Sequence, residues 1–191
     1  MTKTLITYCS HNGSTRRMAE AMLVGVKELG FDQAKLIECD KVMAQDFIDA
    51  DAIIIGTPVK MGGIDHKLKA MIDTVMASLW IEDEIVGKVA GCFATGGGFG
   101  KAGAGVEVTM ISLANVLLEM GLVYVPLPKN TVGFDKGGLQ WGAYALSANE
   151  NMCPKEISVD SLNVAKTHAQ NIVRVASCVS QYRPFMNNRI A

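Results

Sequence analysis

The chain lacks any marked excess of charge of one sign: 18 Lys+Arg stand against 19 Asp+Glu over 191 residues, a formal net charge of −1. A nucleic-acid binder carries a basic stripe, and Arg16-Arg17 is only an isolated pair, so no nucleic-acid partner is expected. Long apolar runs are also missing. Nothing approaches the roughly 20 apolar residues of a membrane helix, so no membrane insertion is expected. The five cysteines (Cys9, Cys39, Cys92, Cys153, Cys178) are scattered and never form a C-x-x-C pair, which argues against a disulfide framework or an iron–sulfur site. His11, His66 and His168 are equally dispersed, so no metal site is expected. The apolar patch at Leu5–Ile6 ends too soon for a signal peptide. Reduced thiols and a cytoplasmic location follow as expectations.

What is present is the composition of a globular domain, with 49% hydrophobic and 19% charged residues. The length suits one core, taken here as a single domain over residues 1–181 with a C-terminal tail at 182–191 that holds Arg183 and Arg189. Short apolar runs predict strands at Thr4–Tyr8, Ala34–Cys39, Asp51–Gly56, Lys88–Thr95 and Leu122–Leu127. Runs that are apolar throughout signify a parallel sheet covered on both faces. Between them, 3.6-residue periodicity predicts helices at Ser14–Leu29, Asp65–Leu79, Val106–Met120 and Val159–Ser180, with Gly30 and Gly121 as stops and a brief helical turn at Phe47-Ile48. Residues 128–154 show no clear periodicity. The reading is an α/β, three-layer, doubly wound five-stranded parallel sheet of order 2-1-3-4-5.

Ligands of such sheets bind at the carboxyl ends of the strands, where the order reverses. Three loops leave those ends, at residues 9–15, 57–63 and 95–104. The first is the most telling. Ser10, Asn12, Ser14 and Thr15 crowd three hydroxyls and an amide around Gly13 at the start of a helix. Either they cap the helix, or the loop presents backbone N–H groups to an anion such as phosphate. The second loop, Thr57 to Gly63, combines a proline with a glycine pair.

The third contains Gly98-Phe99-Gly100-Lys101-Ala102-Gly103, which matches G-x-G-x-x-G. A dinucleotide site also needs an acidic residue about 20 positions on, at the end of the next strand. Glu119 lies instead inside the predicted helix, and the next strand ends in Leu127-Pro128-Lys129. A flexible linker, or a loop whose backbone closely approaches a planar ligand, are the other readings. No segment fits the P-loop pattern G-x-x-x-x-G-K-[ST].

Two segments resemble a known family. Tyr8-Cys9-Ser10-His11-Asn12-Gly13-Ser14-Thr15 is similar to the phosphate loop of the flavodoxin superfamily. Asp51-Ala52-Ile53-Ile54-Ile55-Gly56-Thr57-Pro58-Val59-Lys60-Met61-Gly62 resembles the D-A-I-I-x-G-T-P-T-R-F-G segment of WrbA-type NAD(P)H:quinone oxidoreductases, and Leu79-Trp80 falls where they carry Leu-Trp. Lys60 and Met61 stand in place of that family's arginine and phenylalanine, and Glu119-Met120 in place of its paired histidines.

The resemblance implies a flavodoxin-like fold, FMN as cofactor, and NAD(P)H-dependent two-electron reduction of quinones by a homo-oligomer (dimer or tetramer). It implies that Ser10, His11, Asn12, Gly13, Ser14 and Thr15 hold the FMN phosphate. Pro58, Val59, Lys60, Met61 and Gly62 would wrap the flavin ring, and Thr95, Gly96, Gly97 and Gly98 would meet its other edge. No side chain is expected to act as nucleophile, and none is named as catalytic. Trp80, Trp141 and Tyr144 are candidates to wall the ring. The alternatives are a flavodoxin-type carrier of single electrons, without pyridine-nucleotide activity of its own, and a flavin-binding regulatory protein. Such carriers are commonly acidic, whereas this chain is nearly neutral.

Of the remaining groups, Cys9 is expected as buried filler, His11 as a solvent-facing loop residue, and His66 and His168 as helix-surface groups.

Overall fold

The computed structural model describes residues 2–31, 33–98 and 105–180. Three strands form the centre of the sheet: β1 (Thr4–Tyr8), β3 (Ala52–Lys60) and β5 (Val89–Gly96), with β2 (Ala34–Glu38) outside β1. All pair in parallel, β1 lying between β2 and β3 with Tyr8 opposite both Glu38 and Gly56. β1, β5 and the first six residues of β3 are buried throughout. This is why the sequence shows continuous apolar runs there rather than alternation.

Helices cover both faces. α1 (Ser14–Glu28) and α7 (Val159–Val179) pack on one, where Met18, Met22, Val26, Ile172 and Val173 meet Ile6, Ile54 and Phe93. The other face carries α2 (Ala44–Asp49), α3 (His66–Met71), α4 (Ala77–Ile81) and α5 (Val106–Glu119), which bury Phe47, Leu68, Leu79, Met110 and Leu113 against Leu5, Ile53 and Ile55. A π-helical turn, Ile72–Met76, joins α3 to α4, so the helix expected over Asp65–Leu79 is continuous but locally widened. No described helix is long and apolar enough to cross a membrane.

The sheet order is β2-β1-β3-β5 and then β8 (Gly142–Leu146) and β7 (Gly138–Leu139), and two expectations are corrected within it. First, Thr57–Lys60 is not loop. β3 runs through it and turns back at Met61-Gly62 into β4 (Gly63–Ile64), an antiparallel hairpin. Both turn residues have positive φ, 47° at Met61 and 77° at Gly62. Pro58 is tolerated in the strand although it has no N–H to donate.

Second, the fifth strand is split. Only β6 (Val123–Tyr124) pairs with Val89 and Ala90, and then the chain leaves the sheet. Pro126 and Pro128 follow at once, and neither can donate to a ladder. The rest of the strand position is filled from the stretch that showed no periodicity. α6 (Phe134–Gly137) and β7 (Gly138–Leu139) lead back into β8 (Gly142–Leu146), which pairs in parallel with Cys92–Gly96. Gly142 is required at the re-entry: its φ is +140° and a Cβ there would lie 2.2 Å from the Cys92 carbonyl oxygen.

The split leaves a carbonyl to be satisfied, and His168 does this. Far from lying on the helix surface, His168 is fully buried under β5 and β8, with Nε2 3.0 Å from the Val125 oxygen. A carbonyl only accepts, so Nε2 carries the proton and Nδ1 is left as a buried acceptor with no partner among the described residues. Burial pushes the imidazole pKa down to about 4.

Candidate functional site

β1, β3 and β5 end side by side, and a cleft of about 190 Å³ opens at their carboxyl edge. It is lined by Ser10, His11, Asn12, Ser14 and Thr15 from the first loop, Pro58, Val59 and Lys60 from the second, and Thr95, Gly96 and Gly97 from the third. The three loops singled out in the sequence therefore meet at one place. Thr15 and Thr95 join the first to the third directly, with a buried hydroxyl–hydroxyl hydrogen bond of 2.8 Å.

The two readings of the first loop separate on its geometry. The N-cap of α1 is Gly13, at φ 84°, with no side-chain cap hydrogen bond. The neighbouring hydroxyls thus do not cap the helix in the ordinary way, although Ser10 Oγ accepts a long hydrogen bond, 3.4 Å, from Arg16 N. Helix geometry leaves the N–H groups of Ser14 and Thr15 without intrahelical partners, and both residues face the cleft. Hydroxyls, orphan amides and the positive end of a 15-residue helix suit an anion.

Gly13, Met61, Gly62 and Gly98 are not among the cleft-lining residues. Gly13 supplies the turn. Met61 is fully exposed at the hairpin tip, and Gly62 packs against Gly105, where a Cβ would lie 3.1 Å from the Gly62 Cα. Gly98 has φ 53° and ends the described part of the third loop. The remainder of the G-x-G-x-x-G stretch, and the tail from 182 with Arg183 and Arg189, lie outside the described residues.

The aromatic candidates do not line the cleft. Trp80 is half exposed, while Trp141 and Tyr144 pack against the core. The fourth wall is instead Ser147, Ala148, Met152 and Pro154, immediately after β8. Sequence pattern misses these residues because it misses β8. The apolar run Gly142–Leu146 followed by Ser-Ala-Asn is the signal that marks them.

Beneath the first loop lies a second constellation. Asp65, fully buried, is the N-cap of α3 and accepts from Lys67 N at 2.9 Å. Cys9 Sγ donates to its Oδ1 at 3.2 Å, and His11 Nε2 lies 2.7 Å from its Oδ2. His11 is therefore tied inward rather than purely solvent-facing, and Cys9 is more than filler. Burial opposes ionisation of Asp65, but the hydrogen bonds from Lys67 N, Cys9 and His11 outweigh it and hold the carboxyl below its usual range. The Cys9 thiol is held well above its ordinary pKa by its contact with Cys39, by burial and by Asp65.

A doubly wound sheet with an anion-suited cleft at its switch point is the architecture of a flavodoxin-like protein, flavodoxin itself being the standard example of this strand order. A sequence model of the flavodoxin domain matches residues 5–91. NAD(P)H dehydrogenase (quinone) 3 of Rhizobium meliloti (strain 1021) is 31% identical over 203 residues, covering 94% of each chain. A flavodoxin of Aquifex aeolicus (strain VF5) is 33% identical over 123 residues, 64% of each chain. The solved WrbA-like flavodoxin of Agrobacterium tumefaciens matches with a TM-score of 0.72 at 24% identity, over 94% of this chain and 99% of that one. The chain belongs to the family of the NAD(P)H dehydrogenases (quinone), within the flavodoxin superfamily.

Proposed function

We propose that the protein binds FMN in this cleft and catalyses NAD(P)H-dependent two-electron reduction of quinones. The observation that carries the reading is the meeting of the three loops over the uncapped start of α1. Relatives named as NAD(P)H dehydrogenases (quinone) over nearly the whole length support the enzyme class.

In this reading Ser10, Asn12, Ser14 and Thr15 hold the phosphate, with Gly13 setting the turn. A helix N-terminus gives an anion about 0.3–2 kcal/mol, whereas nanomolar affinity needs about 12 kcal/mol. The loop therefore anchors one end, and Pro58–Lys60 with Thr95–Gly97, which line the cleft, contribute most of the affinity. The cleft is smaller than the roughly 300–1,000 Å³ of pockets that enclose a drug-sized ligand, which suits a ligand held at one end with its reactive part at the surface. Thr95, tied to Thr15, fixes the third loop relative to the phosphate end. Bound there, the flavin would supply the redox chemistry, the transfer of a hydride from NAD(P)H and of two electrons with two protons to a quinone.

We read residues 1–181 as one domain of a cytoplasmic homo-oligomer. The free cysteines suit a reducing compartment, and exposed Trp80 and Ile81 on α4 with Val108 on α5 supply apolar surface for a subunit contact. A carrier of single electrons is the second reading, favoured by the flavodoxin relative. Purified protein that is yellow, and whose flavin is bleached by NADH or NADPH and recovered by a quinone, supports the enzyme. A yellow protein that neither nucleotide reduces supports the carrier.

A further inference from the structure

We propose that Cys9, His11 and Asp65 bind a divalent cation of the zinc class at the root of the first loop. Their donor atoms all lie within 4.8 Å of one another: Cys9 Sγ to Asp65 Oδ1 3.2 Å, Cys9 Sγ to His11 Nε2 3.8 Å, and His11 Nε2 to Asp65 Oδ2 2.7 Å. Tetrahedral zinc with ordinary bond lengths separates its ligand atoms by about 3.4–3.6 Å. The Cys9–His11 separation lies close to that range, and the Asp65 carboxylate faces Cys9 with one oxygen and His11 with the other, so a rotation of the carboxylate offers one oxygen to an ion placed between the three side chains.

The donor types select the metal. One sulfur, one imidazole nitrogen and one carboxylate oxygen suit zinc and its neighbours, whereas magnesium and calcium take oxygen ligands. The geometry also argues against a cysteine nucleophile activated by a histidine. In such a triad the two ring nitrogens face different partners, but here the same Nε2 faces both Cys9 and Asp65. Convergence of three side chains on one point is what coordination requires.

Supporting contacts hold the carboxylate in place. Asp65 Oδ1 accepts from Lys67 N, and Asp65 N donates to the buried Thr57 Oγ1 at 3.1 Å. Cys9 N donates to the Gly56 oxygen, which fixes the sulfur's strand against β3. The His11 side chain keeps 30% exposure and gives the ion a way in from solvent. Binding balances simply. The ion takes the Cys9 sulfur as thiolate, the thiol proton passes to solvent, and His11 coordinates as neutral imidazole with its proton on Nδ1. Two positive charges then meet one thiolate and one carboxylate, a neutral assembly suited to a buried place.

The site does not require FMN, so it fails or stands separately from the function proposed above. The test is calorimetric titration of the chelator-treated full-length chain with zinc chloride, in two buffers of different protonation heat. We expect one zinc per chain at micromolar affinity or tighter, with about one proton released per ion near pH 7. His11→Ala, a change on the exposed side of the loop, is expected to weaken binding at least about 100-fold, beyond what outer-shell partners usually cost. Cys9→Ser is expected to do the same. The double variant Cys153→Ser, Cys178→Ser, which removes the exposed thiols, leaves binding intact. Absence of one-to-one binding overturns the proposal and leaves a hydrogen-bond network. So does binding that survives both His11→Ala and Cys9→Ser, or that vanishes with the exposed thiols.

Discussion

Thr15 and Thr95, 80 positions apart, share a buried hydroxyl hydrogen bond of 2.8 Å at the floor of the cleft. It links the first turn of α1 to the end of β5 and so fixes two of the three loops to each other. Replacing either threonine by valine leaves its partner buried and unpaired, at a cost of about 1–3 kcal/mol. The double variant is expected to lose less than the sum of the singles, as coupled partners do. Urea unfolding of the four proteins reads this directly; strict additivity would mean the contact carries no coupling.

The first loop is expected to recognise the phosphate specifically. Ser10→Ala and Ser14→Ala should each weaken FMN by about 10–150-fold, the worth of a hydrogen bond to a charged group. Riboflavin, which lacks the phosphate, should bind the variants and the parent alike. Fluorescence titration with both ligands checks it, and equal losses for riboflavin would remove the phosphate from this loop.

Gly56 is held small by Phe93, since a Cβ there would lie 2.0 Å from the ring. Gly56→Ala is expected to destabilise by at least about 2 kcal/mol through overpacking. Adding Phe93→Leu should restore part of the loss. Thermal or urea denaturation of the single and double variants measures it.

His168 gives a pH signature. Its folded pKa of about 4 lies below the unfolded value of 6.5, so below that value the unfolded state binds more protons. Stability from this group is complete above pH 6.5 and is lost as pH falls towards 4, by about 3 kcal/mol. His168→Gln should show a flatter profile across that window, when urea midpoints of both proteins are compared. Identical slopes would mean His168 does not titrate between the states.

Most of the fold was legible because burial on both faces writes continuous apolar runs, as at Leu5-Ile6 and Ile53-Ile54-Ile55. The three loops were legible because hydroxyls, glycines and a proline cluster where strands end. The split fifth strand was hidden, since Leu122–Leu127 is apolar enough to be a strand while Pro126 and Pro128 prevent it from continuing. β8 is a short, glycine-led apolar run inside a stretch without periodicity, too brief to register, and the fourth wall of the cleft went with it. His168 and Asp65 could not be placed from local pattern. Their roles depend on a carbonyl 43 positions away and on a cysteine 56 positions away. Such long-range polar contacts leave no periodic trace.

The central claim is that the cleft holds a flavin that passes electrons from a pyridine nucleotide to a quinone. Anaerobic stopped-flow mixing of the FMN-loaded protein with NADH or NADPH, followed by a quinone, tests it most directly. The account predicts bleaching of the flavin absorbance by at least one nucleotide, then its full return on adding quinone, both at rates sufficient for turnover. Protein that binds no FMN, or bound FMN that neither nucleotide reduces, would contradict it.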